Sequence, residues 1–239
     1  MDFSDCAFAV IRADSHHLRD HVHKLRYRAY CVENAFENPN DHPEARERDE
    51  FDDRAVHSLL VHKPSGVPVG TVRLIIQAAH APGSLPIQQV CGDLSAVQRL
   101  CAAGHSLGEI SRFCLSREAL GHVRRRKTTR ESDSRRSVSE GLTATLTLIS
   151  AVVGMAGAEG VTHVCAMMAP TLLRLLAGFG IHFEQLGVAR EHHGVRQPVC
   201  RRLSDLLAVT HRIRPDVWRL ITQNGVLFPL STEGLAEVA

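Results

Sequence analysis

Leu107-Gly108-Glu109-Ile110-Ser111-Arg112-Phe113-Cys114-Leu115 reads as a β-strand that places a carboxylate and a guanidinium inside an otherwise core-like run. On a regular strand Glu109, Ser111 and Phe113 share one face, while Ile110, Arg112 and Cys114 take the other. Glu109 and Arg112 then serve one pocket only if a bulge re-aims the strand, or if Arg112 acts from behind it.

Upstream, Asp14-Ser15 is a helix cap, and Leu18, Val22, Leu25, Ala29 and Val32 recur at helical spacing. Residues 34–54 are rich in Asn, Pro, Asp and Glu and predict a polar loop. Val56 to His62 and Val67 to Gln77 are β-rich runs joined by Lys63-Pro64-Ser65-Gly66, a hairpin pattern. Pro82 to Pro86 breaks the chain before a short helix from about Asp93 to Ala103. Downstream come a long helix over Ser139–Ala158, a strand over Val161–Met168 and a helix opened by Pro170 and ended by Gly178-Phe179-Gly180. Strands over Ile181–Leu186 and Val195–Leu203 follow. The expected organisation is one α/β domain over residues 1–203, with residues 204–239 a helical tail packed on it.

The chain has 239 residues, enough to bury a full core, and a formal charge of +2 gives no global case for nucleic acid. Its 7 cysteines are odd in number and contain no Cys-x-x-Cys pair, which predicts reduced thiols in a cytosolic protein. Residues Gly141 to Ala158 are uncharged, but threonine, serine and glycine dilute them and Glu140 and Glu159 flank them, as in a buried helix. The N-terminus is acidic and is no secretory signal. No cysteine or carboxylate sits at metal-ligand spacing from the histidines, so no metal site is expected.

The order Arg26-Tyr27-Arg28-Ala29-Tyr30, Phe36, Asp49-Glu50-Phe51-Asp52, Arg73 and Glu109-Ile110-Ser111-Arg112-Phe113 resembles the signature of acyl-homoserine lactone synthases. Three phrases, Leu25 to Glu33, Asp52 to Leu60 and His193-Gly194-Val195-Arg196-Gln197-Pro198, resemble the acyltransferases associated with PEP-CTERM/exosortase systems. The resemblance implies the GNAT acyltransferase fold: a central mixed, mainly antiparallel sheet with a bulged, splayed central strand, flanked by helices. It also implies an enzyme related to the N-acyl amino acid synthases, using acyl carrier protein or acyl-CoA as co-substrate and no permanently bound cofactor.

Under that resemblance Glu109 is the candidate general base, because an ammonium must lose a proton before it attacks a thioester. Ser111 and Arg112 complete the catalytic set. Arg26, Tyr30, Phe36, Asp49, Asp52 and Arg73 are expected to line the acceptor pocket; the competing reading places Asp49 and Asp52 in a solvated acidic stretch with Glu44, Glu47, Glu50 and Asp53. Tyr30 and Phe36 stand where lactone synthases most typically carry phenylalanine and tryptophan, which makes free amino acids acceptors to weigh against S-adenosylmethionine. Arg124, Arg125, Arg126 and Lys127 form a basic run suited to an acidic carrier protein, without the spaced glycines of the usual GNAT phosphate loop. The alternatives are a lactone synthase using S-adenosylmethionine, or a catalytically silent carrier-binding regulator.

Overall fold

Strand Ala55–His62 (β2) receives Phe8–Arg12 (β1) as an antiparallel neighbour, in register from Phe8 opposite His62 to Arg12 opposite Ser58. The computed structural model describes residues 6–77, 84–91, 95–125 and 133–229. They form two compact units. The first holds the residues up to Arg73 together with Arg112–Val152; the second holds Leu74–Ser111 and the residues from Val153 onward.

In the first unit Ser15 caps helix His16–Tyr27 (α1), its hydroxyl accepting from the Leu18 amide at 3.2 Å. Val22 packs with Ala13 and Leu59 beneath Leu18 and Val61. The helix then widens into a π turn over Arg28–Glu33. Helical spacing puts Val32 on the buried stripe, yet it is exposed, because the wider turn breaks the 3.6-residue period. The amides of Phe36 and Glu37 both reach back to the Tyr30 carbonyl, closing that turn.

The predicted hairpin forms between β2 and strand Val67–Ile76 (β3), with Gly66 at φ +68° in the connecting turn. The first unit orders its strands β1-β2-β3-β4, where β4 is Leu107–Leu115. Gly70 of β3 lets β4 approach: a Cβ there would lie 2.7 Å from Leu115 Cδ2 and 2.9 Å from the Cys114 carbonyl oxygen. After β4 comes a helix that periodicity does not announce, Arg117–Arg125 (α4). Glu33, distant in sequence, caps it by accepting from the Arg117 and Glu118 amides at 2.8 and 3.2 Å.

The second unit orders its strands β3-β4, then His163–Met168 (β5), Val195–Arg202 (β8) and Glu184–Gln185 (β6), with Arg190–Glu191 (β7) also on β8. The β4–β5 ladder is parallel and runs from Leu107 opposite His163 to Glu109 opposite Cys165; the pairings of β8 are antiparallel. The strand expected over Ile181–Leu186 shortens to β6. Short helices Pro86–Cys91 (α2) and Ser95–Ala102 (α3) precede β4. Pro86, read as part of a chain break, opens α2, since its fixed φ suits a first helical turn. Helix Pro170–Gly178 (α6) follows β5, and helices Leu203–Ile213 (α7) and Pro215–Thr222 (α8) follow β8.

The long helix Asp133–Ala158 (α5) contributes to both units. Its stretch Glu140–Ala158 is apolar and long enough to cross a membrane, but 61% of that window is buried within the protein, as in a core helix. All 7 cysteines are free. Gly70→Ala is expected to destabilise the protein by about 1–3 kcal/mol, since both the Leu115 side chain and a β4 carbonyl would have to move. Urea denaturation checks it: an unchanged midpoint would show that β4 yields freely.

Candidate active site

Three arginines from three elements converge in the first unit. Arg26 of α1 is 0% exposed, Arg73 of β3 is 1% exposed, and Arg112 of β4 is 18% exposed at its side chain. A buried guanidinium needs carboxylates with good geometry to offset its lost hydration. The polar loop after the π turn supplies them. Arg26 donates through Nε to Glu47 and through Nη1 to Asp52 Oδ1 at 2.6 Å. Arg73 Nη1 donates to Asp49, and to Asp52 Oδ1 at 2.7 Å. Arg112 donates from Nη2 to Glu47 Oε1 at 2.9 Å and lies 3.1 Å from Asp49 Oδ2 and 3.3 Å from Glu37.

The loop is tied to itself as well. The Asp49 amide donates to Asp52 Oδ2 and the Phe51 amide to Asp49 Oδ1, both at 3.0 Å. Aromatic rings close one side: Arg112 stacks 5.3 Å over Tyr30, whose ring lies 6.1 Å from that of Phe36. Phe36 is 37% exposed, so this wall reaches solvent.

Arg112 reaches the cluster because β4 is not regular there. Its φ is +47°, a left-handed conformation that costs a non-glycine residue free energy and departs from regular strand geometry. Strict alternation therefore does not govern its direction. Glu109 belongs to the second unit, is 3% exposed, and accepts the Ile87 amide at 2.8 Å through Oε2, fastening the first turn of α2. Ser111 lies in the same unit, on the strand just before Arg112. Arg124 and Arg125 fall in the last turn of α4; their side chains, and all of Arg126 and Lys127, lie outside the described residues.

Glu47 corrects the solvated reading of the acidic stretch. It is 1% exposed and bridges Arg26 and Arg112. Charge counting carried the signal: three core arginines cannot be balanced by Asp49 and Asp52 alone. Burial pushes the Glu47 carboxyl up, but the hydrogen bond and charge of Arg26, with Arg112, outweigh it and hold the group down at about 2. Burial likewise opposes Asp52, which Arg26 and Arg73 hold well below the usual carboxylate range.

Two buried imidazoles back the cluster. His57 of β2 lies 3.6 Å from Asp52 Oδ1, and its ring is 6.2 Å from that of His23 on α1. Burial, reinforced by Arg26, lowers each to about 4, against Asp52, which pulls the other way. Both are therefore neutral in the folded protein at pH 7, while an unfolded histidine begins to take up a proton near 6.5. Between about pH 6.5 and 4 the unfolded state binds more protons, so stability falls as pH falls, by up to about 1.4 kcal/mol per pH unit for each imidazole. Glu47, depressed from 4.5 to about 2, extends the loss further into acid. Melting temperature should thus drop from pH 7 to 4.5, and His57→Gln should flatten that slope; an equal slope in the variant would show that His57 does not contribute.

Residues 25–130 match the acetyltransferase (GNAT) domain model. No curated protein matches the chain in sequence. Among solved structures it is similar to FeeM, an N-acyl amino acid synthase from uncultured soil microbes, at 15% identity and TM-score 0.56, covering 85% of this chain and 95% of FeeM. It is also similar to TofI in a ternary complex with an inhibitor and MTA, at 19% identity and TM-score 0.58, over 88% of this chain and 98% of TofI. A third is BjaI, a CoA-dependent acyl-homoserine lactone synthase solved with SAM and isopentyl-CoA, at 20% identity and TM-score 0.55, over 91% of this chain and 88% of BjaI. The fold is accordingly GNAT-like, an open mixed sheet flanked by helices.

Proposed function

We propose that the protein is an N-acyltransferase that moves a fatty acyl group from a carrier thioester, acyl carrier protein or acyl-CoA, to the amine of a small amino-acid-like acceptor. The observation that carries this is the Arg26–Arg73–Arg112 cluster, whose outer members remain partly open. Asp49, Glu37 and Arg112 are 21, 25 and 18% exposed at their side chains, so both signs of charge reach solvent beside the Tyr30–Phe36 wall. A zwitterionic amino acid presents the complementary pair, an ammonium for the carboxylates and a carboxylate for the guanidinium.

In this reading Arg26, Asp52 and Arg73 are the buried frame, and Asp49, Arg112, Tyr30 and Phe36 meet the acceptor. Glu109 takes the proton from the ammonium, directly or through a water. The amine nitrogen then attacks the thioester carbonyl carbon, the C–N bond forms, the C–S bond breaks, and the thiolate leaves to be protonated. Backbone amides of β4 hold the oxyanion, and an apolar cleft beside α5 takes the acyl chain. The basic run from Arg124 to Lys127 steers an acidic carrier; the cysteine pattern supports a cytosolic location, and the three sequence phrases support an exosortase-linked role. The fold match to an N-acyl amino acid synthase supports a free amino acid as acceptor; the match to a synthase solved with SAM makes S-adenosylmethionine the second acceptor to test.

The test is thiol release from long-chain acyl carrier protein and acyl-CoA, with S-adenosylmethionine and each free amino acid supplied in turn. Acceptor-dependent release is expected in the wild type, with a loss of at least about a hundredfold in Glu109→Gln, an isostere that can still accept the Ile87 amide. Carrier binding without release under any acceptor would favour the silent regulator. Asp49→Asn should raise the acceptor KM with little change in melting temperature. Glu47→Ala should cost about 3–5 kcal/mol of stability, because it leaves Arg26 buried with an incomplete partner set. Equal stability losses in both variants would place Asp49 in the frame and not in the pocket.

A further inference from the structure

The first unit contains a cavity of about 430 Å³ that the acyl-transfer reading does not use. It lies between α1, the turn into β3, and α4. Its wall from α1 is His21, Lys24 and Leu25, continued by Arg28 of the π turn, and Arg26 projects from nearly the opposite side of α1 at 100° per residue. The cavity and the arginine–carboxylate cluster therefore sit on different faces of α1.

Floor and rim differ in chemistry. Leu25, Ala119 and Val123 are buried and, with Val67, form an apolar floor. Lys24, Arg28 and His122 form a rim whose side chains are 51, 48 and 58% exposed, joined by His21. The carboxylates that pair with these cations lie outside the cavity lining. Asp20 is shared by Lys24 at 2.7 Å and Arg46 at 2.5 Å. Glu118 is shared by Arg28 at 3.4 Å and His122 at 3.3 Å, both long for charge-assisted contacts. Arg46 also lies 3.7 Å from Glu44, so the charges around the rim balance formally, but the cavity lining itself holds Lys24 and Arg28 and no carboxylate. A volume in the ligand-pocket range, an apolar floor and a few convergent cationic groups match a small amphipathic anion.

We propose that this cavity is a second ligand site, taking a medium- to long-chain aliphatic carboxylate with its alkyl chain on the Leu25–Val67–Ala119–Val123 floor and its carboxylate held by Arg28 and Lys24. Arg28 is also the first residue of the π turn that carries Tyr30, so occupancy bears directly on the segment forming the aromatic wall. The site stands independently of the proposed acyl transfer, since its occupancy is measured without turnover.

Isothermal titration with laurate, below its micelle concentration, tests the proposal on the full chain. Saturable binding is expected, weakened at least about tenfold in the double variant Lys24→Gln/Arg28→Gln, which loses the charge-assisted contacts. It should be abolished by Val67→Trp, which fills the floor, with circular dichroism unchanged in each. If Val67→Trp does not fold, Ser65→Trp at the turn blocks the same cavity. Dodecanol should bind at least about tenfold more weakly than laurate. Absence of saturable binding, laurate binding indifferent to the cavity variants, or dodecanol binding as tightly as laurate would each overturn the proposal.

Discussion

The buried guanidinium of Arg26 is the constraint on which the first unit depends. It is fully enclosed, and an enclosed cation is tolerated only where carboxylates replace the water it has lost. Glu47 and Asp52 are therefore drawn out of a polar loop and into the interior, while Asp49 is held beside them through Arg73 and Arg112. Hydrophobic periodicity does not position this loop. Ion pairing does, together with the backbone bonds from the Asp49 and Phe51 amides.

The same requirement explains the local departures from regular structure. Bringing Arg112 into contact with Glu47 needs β4 to turn, and the turn is made by a non-glycine residue at positive φ. The π turn after α1 changes the helical register at Tyr30, whose ring then lies beneath the Arg112 guanidinium. Both irregularities occur where charge and aromatic surface meet. Each costs local free energy that the ion pairs and packing of the cluster offset.

Much of the architecture was legible as pattern. The Ser15 cap, the hairpin around Gly66, the strand over Leu107–Leu115 and the long apolar helix all appear where capping, alternation and composition place them. Other elements were not, β1 and α4 among them. β1 is too short, at five residues, for alternation to distinguish it, and its pairing with β2 is non-local. α4 begins where Glu33 reaches across to cap it, a contact no local pattern contains.

By itself the sequence determined which side chains had to find partners: three arginines at core positions, two aspartates flanking Phe51, and a strand carrying Glu109 and Arg112. Their chemistry follows from residue type, since a guanidinium stays charged under any physiological condition. Tertiary structure alone decided which partners they found. Glu47 was indistinguishable from its acidic neighbours until Arg26 and Arg112 closed around it, and Glu109 became the support of α2 when Ile87 was brought to it. Electrostatic pairing acts through space, and the separations of 21 and 65 residues that bring Arg26 and Arg112 to Glu47 are closed only when the chain folds.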